Sequence, residues 1–530
     1  MPSPFAPLRH RAFRLLWSAN LAGNVGLWVQ NTAAAWMMTA LAPSATMVSS
    51  VQVAGLLPVV LLGLPAGALA DIVDRRLFLI GAQVWILAMA VLLAVLTGGD
   101  ALGAWGLLAL TFAIGIGNAM NFPAWAATTP ELVPREDLVQ AIALNGIGFN
   151  LARAVGPALG GFAIAWAGVD AAFALVAACF ALLIGALAVW RPERSRSAMP
   201  REHFLGAIRA GLRFVAASPP MRAVMVRACV FFFFTAAVWG LLPLVIRGRL
   251  GLGPGAYGLM LGLMGVGAVA GGLLMPVIRA RMPSRGTAVL AFSLLSAASL
   301  ALLAVAEHWA VAGLSMLGFG LSWIGAASTL QVSAQLAAPA WVRARAMGTY
   351  QTAFFAAMVL GSAIWGWAGE AAGLGGALGL CAATGAAAAS AVRDFRLDAT
   401  PASPSAATDI TLPQPEAPAA ELAGLLAEQS GRVLEVVRYT IPEAERSAFL
   451  SAMEEVRRVR LRNGAVAWRL LEDIAHPEKW IELWAVESWA EHLREETRMD
   501  ESDRVALASA AALHRGEPPP EAARYLVRLK

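Results

Sequence analysis

The chain has few charged residues and very few cysteines. Only 14% of its 530 residues are Asp, Glu, Lys or Arg, against about 25% in an ordinary soluble domain. This shortage argues against a soluble enzyme, a disordered chain and a nucleic-acid-binding protein. The 3 cysteines, Cys179, Cys229 and Cys381, lie in apolar segments without paired spacing, so we interpret them as packing residues. The phosphate-binding motif of P-loop ATPases is also missing, which argues against a pump driven by ATP.

Apolar residues make up 58% of the chain, and nearly all of its long apolar runs lie within residues 1–396. A helix that spans a bilayer needs about 20 mostly apolar residues, and by this measure the region contains twelve candidate spans. Residues 425–530 have the composition of a soluble domain, and 397–424 form a Pro- and Ala-rich linker in which prolines prevent a lasting helix. The predicted spans centre near Gly23, Leu57, Met89, Ile114, Arg153, Leu182, Phe234, Gly265, Leu295, Leu317, Met358 and Leu380.

The distribution of arginines predicts how these spans are oriented. If the N-terminus lies in the cytoplasm, 20 arginines fall in cytoplasmic loops and only two, Arg247 and Arg249, fall in outward loops. Membrane proteins keep positive loop charges inside, so we expect a multi-pass protein of the inner (cytoplasmic) membrane with both termini in the cytoplasm. The N-terminal region shows no small-residue cleavage site, so the first span is predicted to be retained and not removed as a signal peptide.

An internal repeat divides residues 1–396 into two halves. Shifting the sequence by 205 positions places Arg76 on Arg281 and Gly156 on Gly361, together with several other matches at the same offset. The predicted fold is therefore an all-α polytopic membrane protein with two six-helix bundles. The halves are residues 1–190 and 222–396, and the cytoplasmic link between them is 191–221.

The loop after the second predicted span carries the sequence Gly67-Ala-Leu-Ala-Asp71-Ile-Val-Asp74-Arg75-Arg76. This segment resembles the signature of the major facilitator superfamily of transporters. In that signature, small residues let helices approach each other, and a charge cluster locks the two bundles together on the cytoplasmic side. The resemblance implies a gating role for Gly67, Asp71, Asp74, Arg75 and Arg76. Asp74 stands where the family usually has Gly, which adds a charge to the cluster.

The fifth predicted span contains Gly156, Pro157, Gly160 and Gly161. This pattern is similar to the motif that marks exporters and antiporters within the superfamily. Its small residues permit close helix packing, and its proline can kink the helix. With the preceding string Pro130-Glu-Leu-Val-Pro-Arg-Glu-Asp-Leu, it resembles the enterobactin-exporter-like branch. The resemblance implies that the substrate is exported.

Polar and aromatic residues recur within these apolar spans, and we expect them to line a cavity near the membrane midplane, where superfamily members bind substrate. Arg153 lies about halfway along its span, where a charge costs at least about 2.5–3.5 kcal/mol, so it should face the bundle interior or water. It could hold an anionic or catechol-like substrate, or it could brace helix ends through carbonyls and Asn150. For any single asparagine, bridging between helices is an equal alternative. The predicted substrate-binding set is Asn24, Trp28, Asn31, Asn118, Asn121, Asn150, Arg153 and Trp239.

No Asp or Glu lies plainly at the middle of a predicted span. A proton antiporter needs a group whose pKa changes with conformation, and Asp71 and Glu370 are the candidates at span ends. Proton coupling is therefore chiefly what the family resemblance implies. The expected partners are a small-molecule substrate, a proton and the lipid bilayer, with no nucleic acid.

Residues 425–530 alternate strand and helix patterns in the order of a small α+β ferredoxin-like domain. The run Val486-Glu-Ser-Trp-Ala-Glu-His492 resembles antibiotic-biosynthesis-monooxygenase-like domains, which commonly pair into dimeric barrels. The attachment of such a domain to a transporter is similar to the arrangement in a transmembrane secretion effector subgroup. The predicted strands are 433–440, 465–473, 480–487 and 524–529, and the predicted helical segments are 443–460, 489–497 and 500–514.

Three histidines of this tail, His476, His492 and His514, lack the sequence spacing of metal ligands. Its tryptophans are more typical of a core or a dimer face than of a cofactor pocket. We therefore predict no metal and no cofactor, and we interpret the tail as a cytoplasmic dimerising or regulatory module that could form a homodimer. A cofactor-free oxygenase is the alternative.

These observations predict a secondary transporter, not an enzyme, that exports a small amphiphilic or anionic metabolite, siderophore or drug by alternating access of its two bundles. One alternative is an importer of a small nutrient, against which the motif of the fifth span argues. The other is a membrane-anchored monooxygenase that acts through the tail.

Overall fold

The computed structural model describes residues 5–191, 212, 214–339, 342–397, 431–499, 501–516 and 520–527. Almost all of the predicted linker and most of the predicted link lie outside these residues. The chain divides into two compact units, which are described separately. Because the second unit also includes residues before 397, the division does not follow the predicted domain boundaries, which stay predictions. The first unit comprises Met1–Arg201, Val224–Ser333 and Tyr350–Leu397, and the second comprises Glu202–Ala223, Ala334–Thr349 and Asp398–Lys530.

Ten long α-helices lie in the described residues up to 397. Three of them begin at a side-chain cap: Ser44, Asp74 and Ser284 each accept a hydrogen bond from a backbone N–H in the first turn. The helices are α1 Arg11–Leu41, α2 Ala45–Ile72, α3 Arg75–Gly98, α4 Ala104–Thr128, α5 Leu138–Val189, α6 Pro219–Leu244, α7 Pro254–Arg281, α8 Arg285–Ala304, α9 Trp309–Ala337 and α10 Arg343–Ala391.

Nine of these ten helices are long and apolar enough to cross a membrane. The exception is α1, which is long enough but contains Asn20, Asn24, Gln30 and Asn31. A polar face of this kind suits a helix that lines an interior cavity of a bundle. The described part of the chain is therefore a mostly helical membrane protein with nine candidate spans, whereas the sequence predicted twelve.

Two of the helices change direction at a glycine. Gly168 in α5 has a φ of 92°, and Gly373 in α10 has a φ of 73°. Glycine adopts this left-handed conformation without a steric cost, so the chain turns at these points without a loop. The predicted fifth and sixth spans, centred near Arg153 and Leu182, both lie on α5, on either side of Gly168.

Close contacts of glycines recur in the two halves at the 205-residue offset. Gly156 of α5 lies against Trp28 of α1, so close that an added Cβ would be 2.6 Å from the Trp28 Cβ. At the equivalent positions of the second half, Gly361 of α10 lies against the backbone of Phe233 in α6. This shared contact supports the internal repeat.

Two further glycines at the same offset join the halves to each other. A Cβ added to Gly161 of α5 would be 2.5 Å from the Cα of Gly258 in α7. Gly366 of α10 lies likewise against Ser49 of α2. Each half therefore contributes one glycine to a close helix crossing with the other half.

One arginine in each half holds the same pair of backbone carbonyls. Arg76, at the start of α3, donates to the carbonyl of Leu187 over 3.0 Å and to the carbonyl of the next residue. At the 205-residue offset, the carbonyls of Val392 and Arg393 accept from Arg227 of α6. Carbonyls at helix ends lack intrahelical partners, so both arginines satisfy groups that would otherwise be unpaired.

The second unit contains a four-stranded antiparallel sheet with strand order β2-β3-β1-β4. The elements follow the order predicted from the sequence, although the last strand begins three residues before the predicted position 524. The strands are β1 Arg432–Thr440, β2 Ala467–Glu472, β3 Lys479–Val486 and β4 Glu521–Val527, and the helices are α11 Arg446–Asn463, α12 Trp489–Arg498 and α13 Glu501–Ala511.

The core of this sheet-and-helix module lies between the sheet and α11, where Phe449 and Val456 are fully buried. Side chains alternate between the two faces of a strand. Glu435 of β1 pairs with Trp484 of β3 and therefore shares this covered face with Glu482, which is also fully buried. The register thus places two carboxylates inside the module.

Candidate functional site

Arg153 lies about midway between Leu138, where α5 begins, and the turn at Gly168, and its side chain contacts a helix of the second half. The centre of its guanidinium lies 5.9 Å from the centroid of the Trp323 ring on α9. Within the described residues it forms no ion pair with a carboxylate and no hydrogen bond to a carbonyl. The bracing contact with Asn150 is not present there, because Asn150 is exposed and donates to the carbonyl of Gly146 over 2.9 Å.

Trp323 belongs to a connected group of three tryptophans from three helices, and we call Trp28, Trp239 and Trp323 the tryptophan cluster. The ring centroids of Trp28 and Trp239 are 5.6 Å apart, and those of Trp239 and Trp323 are 5.7 Å apart at an interplanar angle of 72°. All three indole N–H groups are buried and have no hydrogen-bond partner within the described residues. A buried donor without a partner costs about 1–3 kcal/mol, so the cluster is suited to a ligand or waters with acceptor groups.

The predicted asparagines separate into two groups. Asn24 and Asn31 are half-buried on α1, and Asn118 is buried on α4. Asn121 instead accepts a hydrogen bond of 2.7 Å from Gln83 of α3, so it bridges two helices of the first half. For Asn121 the structure therefore favours the bridging alternative.

Contacts and exposures indicate a cleft between α5 and α7 beside Arg153, because the two helices pack closely along one part of their length and carry exposed side chains along the rest. A Cβ added to Gly265 of α7 would lie 2.7 Å from the Cα of Ala154. On the same face of α5 as Ala154, Ile147 and Leu151 are 58% and 47% exposed, and on the same face of α7 as Gly265, Val269 is 55% exposed. The halves therefore diverge toward the end at which α5 begins and α7 ends.

The predicted packing motif of α5 packs against two different helices. Gly156 and Gly160 face α1, and a Cβ added to Gly160 would be 3.2 Å from the Cα of Val29. Gly161 and the carbonyl of Pro157 face Gly258 of α7. The motif thus brings α5 close to one helix of its own half and to one helix of the other half.

Three charged residues of the 67–76 segment form contacts within the first half. The Asp74 side chain caps α3 by accepting from the backbone N–H of Leu77 over 3.0 Å. Arg75 pairs with Glu131, and Arg76 holds the carbonyls at the end of α5. Sequence reasoning assigned these charges to a lock between the bundles and did not foresee their use inside one half.

The other two residues of that segment give less information. A Cβ added to Gly67 would lie 3.7 Å from Pro123 of α4, which is an ordinary contact. The side chain of Asp71 lies outside the part of the chain that the structure describes. A charge lock between the two halves therefore stays a prediction.

A buried charge network lies in the second unit, between its sheet and its helices. Arg460 of α11 forms ion pairs with Glu482 over 3.1 Å and Glu495 over 3.3 Å, and its guanidinium lies 3.6 Å from the centroid of the Trp484 ring. Burial raises the pKa of Glu495 to about 6, against the opposing attraction of Arg460. This network was not predicted from the sequence, because its members are far apart along the chain.

Three side chains beside this network could hold a metal ion by geometry alone. His492 Nδ1 lies 2.6 Å from a carboxylate oxygen of Glu435, and with Glu495 these residues bring ligand atoms within 4.8 Å of one another. The fixed positive charge of Arg460 next to Glu495 disfavours a cation there. We therefore interpret the group as part of the buried charge network.

Comparison with known proteins gives a match along nearly the whole chain. A sequence profile of the family described as "transmembrane secretion effector" matches residues 2–530. The uncharacterized MFS-type transporter YfiS of Bacillus subtilis is 26% identical over 324 residues, which are 58% of this chain and 74% of YfiS.

Two relatives with named export substrates match shorter segments. Macrolide efflux protein A of Streptococcus pyogenes is 28% identical over 147 residues, which cover 28% of this chain and 36% of that protein. Enterobactin exporter EntS of Escherichia coli is 37% identical over 102 residues, which cover 19% of this chain and 24% of EntS. The chain thus spans much less than two thirds of either exporter.

Solved structures show the same fold at low sequence identity. A POT family transporter matches with a TM-score of 0.59 and 13% identity, covering 72% of this chain and 95% of that one. A bacterial homolog of the human lysosomal transporter Spinster, in an inward-facing and unoccupied conformation, matches with a TM-score of 0.54 and 16% identity, covering 74% and 95%. At these identities the likeness concerns the fold alone.

Proposed function

Because the chain belongs to the transmembrane secretion effector family of major facilitator transporters, we propose that it exports a small amphiphilic or anionic molecule across the cytoplasmic membrane by alternating access. The molecule is a metabolite, a siderophore or a drug. One relative is named an enterobactin exporter and another a macrolide efflux protein, and these names support the outward direction of transport. Proton antiport is the proposed source of energy.

We propose twelve membrane crossings. The nine candidate spans and α1 give ten helices, and α5 and α10 each cross twice if the chain re-enters the membrane after Gly168 and Gly373. This count returns the chain to its starting side, so both termini lie in the cytoplasm, as the arginine distribution predicts. In this arrangement the cleft between α5 and α7 opens to the cytoplasm, because α7 ends at Arg281.

The observation that carries the proposal is the position of Arg153 and the tryptophan cluster relative to the two halves. Trp28 belongs to the first half, whereas Trp239 and Trp323 belong to the second, and Arg153 of the first half lies over Trp323. A ligand held by these groups would contact both halves at once. Relative motion of the halves would then change its access from one side of the membrane to the other.

For the tail we propose a ferredoxin-like module with a dimerising or regulatory role, attached through a linker at 397–424. The space between its sheet and helices holds Arg460, Glu482, Glu495 and Trp484 in mutual contact. Such a filled interior supports a role without catalysis. Steady oxygen consumption by the full-length protein with a polyphenolic compound, lost on truncation after residue 397, would instead support the monooxygenase alternative.

The test of export compares the small molecules inside and outside cells with and without the gene by mass spectrometry. Retention of a metabolite or an added drug only in cells that lack the gene supports export, whereas uptake that requires the gene supports an importer. Arg153→Ala should abolish the transport difference while the protein still reaches the membrane, and normal flux in this variant would contradict the assigned site. Collapse of the proton gradient should remove the difference if protons drive export.

A further inference from the structure

We propose that the site formed by Arg153 and the tryptophan cluster selects a planar aromatic anion, such as an aryl carboxylate, and that Trp323 determines this specificity. The inference rests on the proposed transport function and names the substrate class that it serves. Trp323 was not among the residues predicted from the sequence. It enters through its contacts with Arg153 and Trp239.

The polar groups of this site are mainly hydrogen-bond donors. The guanidinium of Arg153 carries five N–H donors and no acceptor, and each indole of the cluster adds one N–H. None of the three indole N–H groups has a partner within the described residues, and Trp323 is only 6% exposed. A ligand that accepts hydrogen bonds and carries negative charge matches this set, whereas a protonated amine finds no acceptor among these four side chains except the ring faces.

The distribution of acids strengthens this choice. Among the residues up to 397 that the structure describes, every Asp and Glu lies near a helix end, outside the helices, or within three residues of the turns at Gly168 and Gly373, as Asp170 and Glu370 do, and none lies near the middle of a proposed crossing. No carboxylate is therefore available at the depth of Arg153 to neutralise a cationic substrate or to neutralise the arginine. An anionic ligand would supply the missing negative charge.

The ring faces select for a flat ligand. Trp28 and Trp239 are tilted by 35° to each other, and Trp323 is steeply inclined to Trp239 at 72°. Arg153 lies toward the face of Trp323. An aromatic acid can place its carboxylate against the guanidinium and its ring against the indoles, since aromatic rings and planar guanidinium groups both stack. An aliphatic acid would keep the ion pair and lose the stacking.

Binding to the purified full-length protein tests the substrate class separately from transport. The probes are 2-naphthoate, the cation 2-naphthylmethylammonium and the non-aromatic anion cyclohexanecarboxylate, measured by isothermal titration calorimetry. We expect 2-naphthoate to bind at least tenfold more tightly than either of the other two. Equal or tighter binding of the cation, or equal binding of cyclohexanecarboxylate, would overturn the proposal.

Variants assign the effect to residues. Arg153→Gln should weaken 2-naphthoate binding at least tenfold, and Arg153→Lys should restore part of the loss. Trp323→Phe keeps a ring but removes the N–H, so it should weaken 2-naphthoate severalfold. Trp365→Phe is the matched control, because Trp365 also has a buried indole N–H without a described partner but packs against Phe233 and Phe234. Equal losses in the Trp323 and Trp365 variants would refute the specificity role.

The same probe separates this inference from the proposed export. If 2-naphthoate binds as expected but cells with and without the gene retain it equally, the substrate class stands and the export proposal fails for this ligand. If the cells export other compounds while 2-naphthoate fails to bind, export stands and the substrate class is wrong.

Discussion

The contact between Gly161 and Gly258 makes the most direct prediction about alternating access. A methyl group on Gly161 would meet the Cα of Gly258 at 2.5 Å and its backbone nitrogen at 2.8 Å. Backbone atoms cannot rotate out of the way, and ordinary carbon contacts are about 3.5–4.0 Å. The Gly161→Ala substitution must therefore push α5 and α7 apart by about 1 Å in the conformation described here.

The expected effect is a shift in conformational equilibrium. Overpacking of this kind costs about 1–3 kcal/mol, which corresponds to a change of about 5- to 150-fold in the ratio of two states. Only a state in which α5 and α7 touch pays this cost. Gly161→Ala should therefore raise the population of a state in which the halves separate at the end opposite the cleft.

Spin-label distances can measure this population. Asp100→Cys and Glu307→Cys place labels in exposed loops of the two halves at that end, in a background with the native cysteines replaced by serine. The control is Gly146→Ala, which makes the same change on α5 where nothing lies within 4 Å of the added Cβ. Identical distance distributions in the Gly161 and Gly146 variants would show that this crossing does not hold the halves together.

Three further predictions concern single contacts. Asn121→Ala leaves the buried amide of Gln83 without its acceptor, so we expect a loss of about 1 kcal/mol in stability, seen as a lower Tm, with transport retained once folded; loss of transport at unchanged Tm would return Asn121 to the substrate site. Arg227→Met should lower the Tm by more than Arg393→Met does, because only Arg227 holds the carbonyls of Val392 and Arg393; equal effects would refute this role. The pKa of Glu495 is raised, so its favourable contribution to the tail is complete below about pH 4.5 and is lost as the pH rises through about 6. Hydrogen exchange of β3 amides in the full-length protein should show a fall of about 2 kcal/mol in the opening free energy across this window. Glu495→Gln should remove this fall, and a variant that keeps the same pH profile would contradict the assignment.

The sequence was a good guide to features that depend on neighbouring residues in the chain. Apolar runs located the membrane helices, and alternation located the strands of the tail to within about three residues. It could not show that spans five and six form one continuous helical stretch, because the turn at Gly168 needs only a positive φ and no loop composition. The sequence predicted α1 as a span, and its length agrees, but its asparagines and glutamine keep it from meeting the hydropathy of the other nine long helices.

The candidate site was only partly predictable. A charge at mid-span made Arg153 stand out, and helical spacing placed Trp28 beside the asparagines of α1. Trp323 was missed, since nothing in its own span distinguishes a tryptophan that faces Arg153 from one that faces lipid. Asn121 was included although it bonds to Gln83, because its partner lies on another helix. Partners on other helices are set by tertiary packing, which a single sequence does not contain.

The two arginines that cap helix ends have a consequence for how the duplicated halves diverged. Arg76 and Arg227 donate to carbonyls that correspond at the 205-residue offset, but they are attached to helices that do not correspond. Arg281, the counterpart of Arg76, is still an arginine, so a comparison of the halves residue by residue would count this site as kept. The contact nevertheless belongs to a different segment of the repeat, so identical residues at the offset do not imply identical contacts. A chimera with two copies of the first half should accordingly hold both helix ends through Arg76 and its copy.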